Sequence, residues 1–303
     1  MIKYRIITDS SSGITQDEAA KLGVKVLPLN LEYKGKNYKD GIDITTDEFY
    51  NILFASDEQK KLMIAKFMEK KEMPKSTLVT PGLFEEAFEE CKENGEIAVV
   101  LPIAACLSGT LNSARLAAED VDGLDYIIED SKTALGAVKI IIYSILKKEY
   151  ETKEELEQYI DYLIDHIEFL AVPDTLEYLF RLGRLSKTAA LIGNLFSIKP
   201  LIELNEEGKL IPIEKIRGLK HAFLKLKDHV ENNAPIDRSL PMELGYSNHI
   251  ENVNQLEEYL NDLLVDGYTK CQISPVVGAH VGPGASAFFY FTTKTKAERF
   301  GKK

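Results

Sequence analysis

Residues 96–110 read Glu-Ile-Ala-Val-Val-Leu-Pro-Ile-Ala-Ala-Cys-Leu-Ser-Gly-Thr, an apolar run that closes on a serine, a glycine and a threonine. The part from Glu96 to Ile103 predicts a strand, being short, apolar and rich in β-branched residues. Ser108-Gly109-Thr110 then opens a helix expected to reach about Glu119. Upstream, Thr80 and Pro81 supply a cap and a first helical position for a helix over 82–94, and Asn94-Gly95 supplies its stop. A strand with helices on both sides belongs to a crossover connection, and crossovers build parallel sheets.

Working outward, the same grammar recurs. Tyr4–Thr8 and Leu124–Ile128 read as short strands, and Val24–Leu31 as one apolar, β-branched strand. Thr15 with Glu18 and Thr45 with Glu48 have the spacing of capping boxes, in which each side chain satisfies the other's free backbone N–H. Lys34-Gly35-Lys36-Asn37 reads as a turn. Past Thr152, where Glu155 gives a third such pair, the pattern changes. A helix leads into a strand at Phe169–Val172, and another helix is expected from Asp174. Runs at 199–204 and 209–216 flank Asn205-Glu206-Glu207-Gly208 as an antiparallel hairpin, the first expected in the chain. Helices near 218–232 and 250–264 alternate with strands near 242–246 and 285–292. The fold class is therefore α/β: a doubly wound, mostly parallel N-terminal domain over 1–168, then an α+β domain with a mixed sheet over 169–303. Residues 58–71, with Leu62, Ile64, Phe67 and Met68 at helical spacing among lysines, predict an amphipathic helix inserted in the first domain.

Composition narrows the function. The chain has 303 residues, 45% hydrophobic and 28% charged, which is ample for two cores. No run approaches the roughly 18 apolar residues of a membrane span, and Met1–Asp9 reads as a first strand with no secretory signal. Three separated cysteines, Cys91, Cys106 and Cys271, fit a reducing, cytoplasmic setting. A net charge of −11 argues against nucleic acid and against a broad membrane-docking surface. The glycine-rich nucleotide loops, the Gly-x-Ser-x-Gly elbow and metal-ligand spacing among the five histidines are all missing, so catalytic residues, cofactors and metals are not expected.

The best physical candidate for binding is the opening stretch itself. Ligands of open parallel sheets gather at the carboxyl ends of strands, where a following helix presents free N–H groups and partial positive charge. Ser108 and Thr110 offer hydroxyls there, and Gly109 permits close backbone approach, which suits a carboxylate or a phosphate. The alternative is that Ser108 or Thr110 caps its own helix. Asp9-Ser10-Ser11-Ser12-Gly13 and Asp130-Ser131-Lys132 also end strands, but their acidic residues suit loop fixing better than anion contact. Ser76-Thr77 forms a hydroxyl-rich loop. Arg184 and Arg217 are candidates for an anion, a partner, or ion pairing within an acidic chain. His280, in Gly278-Ala279-His280-Val281-Gly282-Pro283-Gly284, suits a hydrogen-bond network or a structural role.

These segments in this order resemble the DegV family of bacterial fatty-acid-binding proteins over nearly the whole chain. The likeness runs from Ile7-Thr8-Asp9-Ser10 and Asp40-Gly41-Ile42-Asp43-Ile44 through Leu107-Ser108-Gly109-Thr110 with Ser113-Ala114. It continues in Asp174-Thr175-Leu176-Glu177-Tyr178-Leu179, Gly183-Arg184-Leu185-Ser186, Ile198-Lys199-Pro200-Leu201, Lys215-Ile216-Arg217-Gly218 and His280-Val281-Gly282-Pro283-Gly284-Ala285. The resemblance implies two α/β domains with a fatty acid such as palmitate or oleate between them. It implies that a hydroxyl of a Thr-Ser-Gln-Pro-Ser loop and the serine of Ser-Gly-Thr hold the carboxylate, with a histidine nearby. Here these fall on Ser76, Ser108 and His280. The loop reads Ser76-Thr77-Leu78-Val79-Thr80-Pro81 instead, which keeps a first hydroxyl, with Thr77 as its substitute, but loses the glutamine and the first proline. The resemblance further implies a separate fatty-acid kinase as partner, this chain being the non-catalytic subunit. Burying about fifteen methylenes at about 0.8 kcal/mol each supplies on the order of 10 kcal/mol toward binding such a ligand. Two competing readings are an acyl ester hydrolase or transferase, with Ser108 as nucleophile and His280 as base, and a carrier of another amphipathic carboxylate.

Overall fold

The computed structural model describes residues 1–54, 74–185 and 198–301. Ile97–Val100, the heart of the opening stretch, forms β6 and is wholly buried. In chain order its predecessors are β1 (Tyr4–Asp9), β2 (Lys25–Leu27), β3 (Asn30–Tyr33), β4 (Lys36–Lys39) and β5 (Lys75–Thr77), and β7 (Tyr126–Ile128) follows. A parallel sheet runs β2-β1-β6-β7, with Ile6 level with Val99 and Val99 with Ile127. The helices Pro81–Asn94 and Thr110–Asp120 cover it, as crossovers between parallel strands must.

The second half forms a six-stranded mixed sheet from β8 (Ile167–Val172), β9 (Ile198–Leu204), β10 (Leu210–Arg217), β11 (Glu243–Tyr246), β12 (Thr269–Gln272) and β13 (Ser286–Phe291), ordered β10-β9-β8-β13-β11-β12. The β11–β12 pair is parallel and the other pairs are antiparallel. The expected division at 168 falls at the start of β8, yet the hydrophobic core crosses it. Ile6 and Val99 of one sheet share a cluster with Phe169 and Phe289 of the other. The helix Gly136–Leu146 joins them, apolar around nearly its whole circumference as a helix packed on several sides must be.

Several expectations are corrected. Val24–Leu31 is not one strand: Pro28, without an N–H, divides it into β2 and β3, which lie in different sheets. Antiparallel pairing therefore begins earlier than expected. β4, β3 and β5 form a small sheet, and Lys34 (φ 50°) and Gly35 (φ 74°) make the two-residue turn whose left-handed residues match strand twist. Thr15–Glu18 and Thr45–Glu48 are reciprocal boxes, but Glu155 accepts from the Glu151 N–H, so Thr152 caps alone. Thr80 makes no side-chain cap bond. The helix expected at Asp174 starts at Glu177, whose N–H donates to Thr175 Oγ1. Strand β12 and the helix Pro275–Val281 had no counterpart in the sequence reading. The 58–71 segment and Ser186 lie outside the described residues.

Candidate functional site

A cavity of about 380 Å³ lies between the six-stranded sheet and the segments that follow the parallel strands β6 and β7. The six-stranded sheet contributes Phe169, Ala171, Ile202, Leu210 and Ala287, and the opposite wall includes Ile103, Leu107, Ala134 and Leu135. Among the described residues, the polar side chains lining it are Ser76, Thr77, Ser108, Arg184 and His280.

Contacts gather these at one end. Ser76, opposite Leu31 in the β3–β5 pair, has its Oγ 2.6 Å from His280 Nε2. Leu78 reaches Gly109 so closely that a Cβ there would meet Leu78 Cδ2 at 2.9 Å. Arg184 Nε donates to the carbonyl of Leu107, next to Ser108, and Nη1 donates to the carbonyl of Leu182. Burial lowers the pKa of this guanidinium. It is the charged side chain nearest to hand for an anion in the cavity.

His280 sits on the short helix Pro275–Val281, and two glycines fix its place. A Cβ on Gly278 would meet the Tyr50 ring Cζ at 2.9 Å and Phe49 at 3.2 Å, so the helix lies directly on the helix Thr46–Phe54. Gly282 (φ 79°) ends the helix against the Tyr178 ring. Burial, then the Arg184 charge, pushes the His280 pKa down to about 4, so the ring is neutral near pH 7. A neutral imidazole carries one N–H. Among the described residues the buried Nδ1 has no hydrogen-bond partner, so the tautomer with the proton on Nε2, donating to Ser76 Oγ, leaves no ring N–H unpaired. That tautomer leaves the Ser76 hydroxyl proton free to turn elsewhere.

Ser108 is held by its own turn. Its Oγ lies 2.9 Å from Thr110 Oγ1, and buried Thr110 also accepts from the Val79 N–H at 3.4 Å. The helix starts at Thr110 behind Gly109, and Ser108 Oγ accepts from the Thr110 N–H at 3.4 Å, so Ser108 also caps its own helix, as the alternative had it. Thr110 does not line the cavity; it braces Ser108 and, through Val79, the segment that follows Ser76-Thr77, which is strand β5 and not the expected loop. Thr77 lines the cavity mouth and is exposed, as is Gly109. Arg217 is exposed at the end of β10, away from the cavity lining. The histidine's hydroxyl partner is thus Ser76, whereas Ser108 pairs with Thr110, so the Ser108–His280 pair of the competing reading is not seen in contact.

The acidic strand ends fix loops. Asp9 accepts from the N–H groups of Ser11 and Ile103 and from the Ser11 hydroxyl. Asp130 accepts from the Ala105 and Lys132 N–H groups. Asp40 accepts a hydrogen bond from the Ser10 hydroxyl at 2.8 Å, and burial raises its pKa to about 7.

The DegV family model, described as "Uncharacterised protein, DegV family", matches residues 3–293. The chain belongs to the DegV family. A DegV domain-containing protein of Caldanaerobacter subterraneus subsp. tengcongensis is 31% identical over 293 residues, covering 96% of this chain and 99% of that one. Among solved structures, a fatty acid binding DegV family protein from Streptococcus agalactiae shares 27% identity with a TM-score of 0.82, over 97% of this chain and all of that one (100%). A DegV family protein from Thermus thermophilus, solved for its fatty acid binding, has the same fold at 24% identity and a TM-score of 0.79, over 96% and 100% of the two chains. The DegV chain described here shares their parallel sheet and separate mixed sheet.

One grouping escaped the sequence reading. Glu168 on β8, Glu203 on β9 and His229 on the helix Leu219–Asn232 bring ligand-type atoms within 4.8 Å of one another. They are far apart in sequence, so histidine spacing gives no sign of them. Arg299 already supplies the positive charge there, ion-paired with Glu168, and burial raises the Glu203 pKa to about 8.

Proposed function

We propose that this chain binds one long-chain fatty acid such as palmitate or oleate, with the acyl chain in the cavity and the carboxylate at its polar end. The observation that carries this reading is the cavity's division: a wall of Leu, Ile, Val, Ala and Phe side chains, with the polar side chains among the described residues gathered at one end. Ser76 keeps a hydroxyl proton for a carboxylate oxygen, Ser108 keeps one when Thr110 donates to it, and Arg184 provides a countercharge. That combination offsets the desolvation of a buried carboxylate, which otherwise costs several kcal/mol. Gly109 and Thr77 border the head group, and Arg217 takes no part.

The reading is of a carrier without catalysis and without a cofactor. A neutral His280 that donates to Ser76 is no base toward it, and Ser108 has Thr110 as its partner. Two domains meeting near residue 168 hold the ligand between them. The head-group end is bordered by exposed Thr77, Leu78 and Gly109, which leaves the carboxylate within reach of a second protein. A fatty-acid kinase is the partner this arrangement suits. The free thiols of Cys91, Cys106 and Cys271 fit a cytoplasmic setting. No helix among the described residues is long and apolar enough to cross a membrane.

Lipid extraction from the purified protein tests the reading. The expected result is fatty acid at close to one per chain. Protein that is empty, or that yields another class of carboxylate, contradicts it.

A further inference from the structure

The far end of the cavity is shaped by strand register. On β8 and β13, Ala171 lies opposite Ala287, and two residues deeper Phe169 lies opposite Phe289. Strands alternate faces, so the two pairs share one face. Both alanines line the cavity, whereas of the two rings only Phe169 does. The small pair leaves a trough across the sheet and the aromatic pair closes it.

Phe289 is wedged in place. A Cβ on Gly136 would meet its ring at 2.5 Å, and a Cβ on Gly245 would meet it at 2.8 Å. The ring therefore occupies the space that side chains at both glycines would need, and it is fully buried. Phe169 packs on it with ring centroids 5.3 Å apart. A side chain backed by an immobile ring cannot withdraw to admit a longer ligand, because close-packed interiors do not deform continuously. Pro173, four residues after Phe169 and just past the end of β8, also lines the cavity. Four strand residues span about 13 Å, so the trough runs well inward from the mouth.

We infer that Phe169, buttressed by Phe289, is the stop against which the acyl methyl end rests, and that Ala171 and Ala287 set the room before it. These residues determine which chain length is accepted. The inference rests on the fatty-acid reading above and adds length selection to it.

The test compares wild type with Phe169→Leu, Phe169→Ala and Ala287→Ile, each checked for cooperative thermal unfolding. Co-purified lipids are identified, and stripped protein is titrated with saturated fatty acids from laurate to behenate. The Phe169 variants should shift the preferred length upward, each additional methylene admitted tightening binding about fourfold. Ala287→Ile should shift it downward, and it keeps the inference testable if both Phe169 variants fail to fold. Folded variants that carry fatty acid with an unchanged length preference overturn the stop while leaving the carrier intact. Wild type that carries no fatty acid overturns the carrier reading, and the stop with it.

Discussion

The two ends of the cavity are built by different rules. At the polar end, Ser76, Ser108, Arg184 and His280 come from separate elements and loops, each held by individual side-chain hydrogen bonds. At the apolar end, Phe169, Ala171, Ala287 and Phe289 come from neighbouring strands and are level because of register alone. Individual side-chain hydrogen bonds can be lost while the scaffold survives, but a ring locked between glycines is part of the scaffold. Changes at the polar end should therefore cost affinity, and changes at the apolar end should cost stability or alter selectivity.

The largest effect expected is at the apolar end. Phe289→Ala removes a fully buried ring and leaves a void beside Phe169, Gly136 and Gly245, which should cost about 3–5 kcal/mol of stability. Urea unfolding measures it, and a loss below about 1 kcal/mol would show an apolar end far more plastic than its packing implies. At the polar end, Ser76→Ala and Ser108→Ala should each weaken fatty-acid binding by about 1–3 kcal/mol in calorimetric titration, with little change in the unfolding midpoint. A larger change in stability than in affinity would erase the contrast between the ends.

Two pH effects sharpen it further. His280 has its folded pKa depressed to about 4, below its ordinary 6.5, so it stays neutral while an ordinary histidine titrates. Affinity for palmitate should then be level between about pH 6 and pH 8, whereas a grip through a charged histidine would weaken by up to about tenfold per unit at the alkaline end. Asp40 behaves in the opposite sense. Its folded pKa is raised from 3.8 to about 7, so the folded state holds the proton more tightly, and this contribution to stability is lost as pH rises across that interval. Asp40→Asn should flatten that part of the stability profile, and an unchanged slope would assign it to other groups. The smallest effect is Thr77→Ala, expected to stay within about 0.5 kcal/mol in affinity. If it weakens binding while Ser76→Ala does not, the first donor is Thr77.

The contrast also explains what was legible in the sequence. Capping pairs, the strand-to-helix step at 96–110 and the Ser-Gly-Thr turn are local signals, and they located Ser108. The Ser76–His280 contact spans 204 residues and was available through family resemblance alone. Arg184 and Arg217 read alike in sequence, and only the fold separates the one lining the cavity from the exposed one. The apolar lining left no motif, because Ala171 and Ala287 become partners through β8–β13 pairing that no spacing encodes. The missed elements have local causes as well. Pro28 divides an apolar run, and β12 has a largely polar face at the sheet edge.

The central claim is that this cavity holds one fatty acid by its carboxylate. Native mass spectrometry of lipid-stripped protein offered palmitate tests it most directly. A single adduct of one palmitate per chain, greatly weakened in the Ser76→Ala, Ser108→Ala double variant, is the predicted result. A wild-type spectrum that shows the bare chain even with palmitate in excess would contradict it.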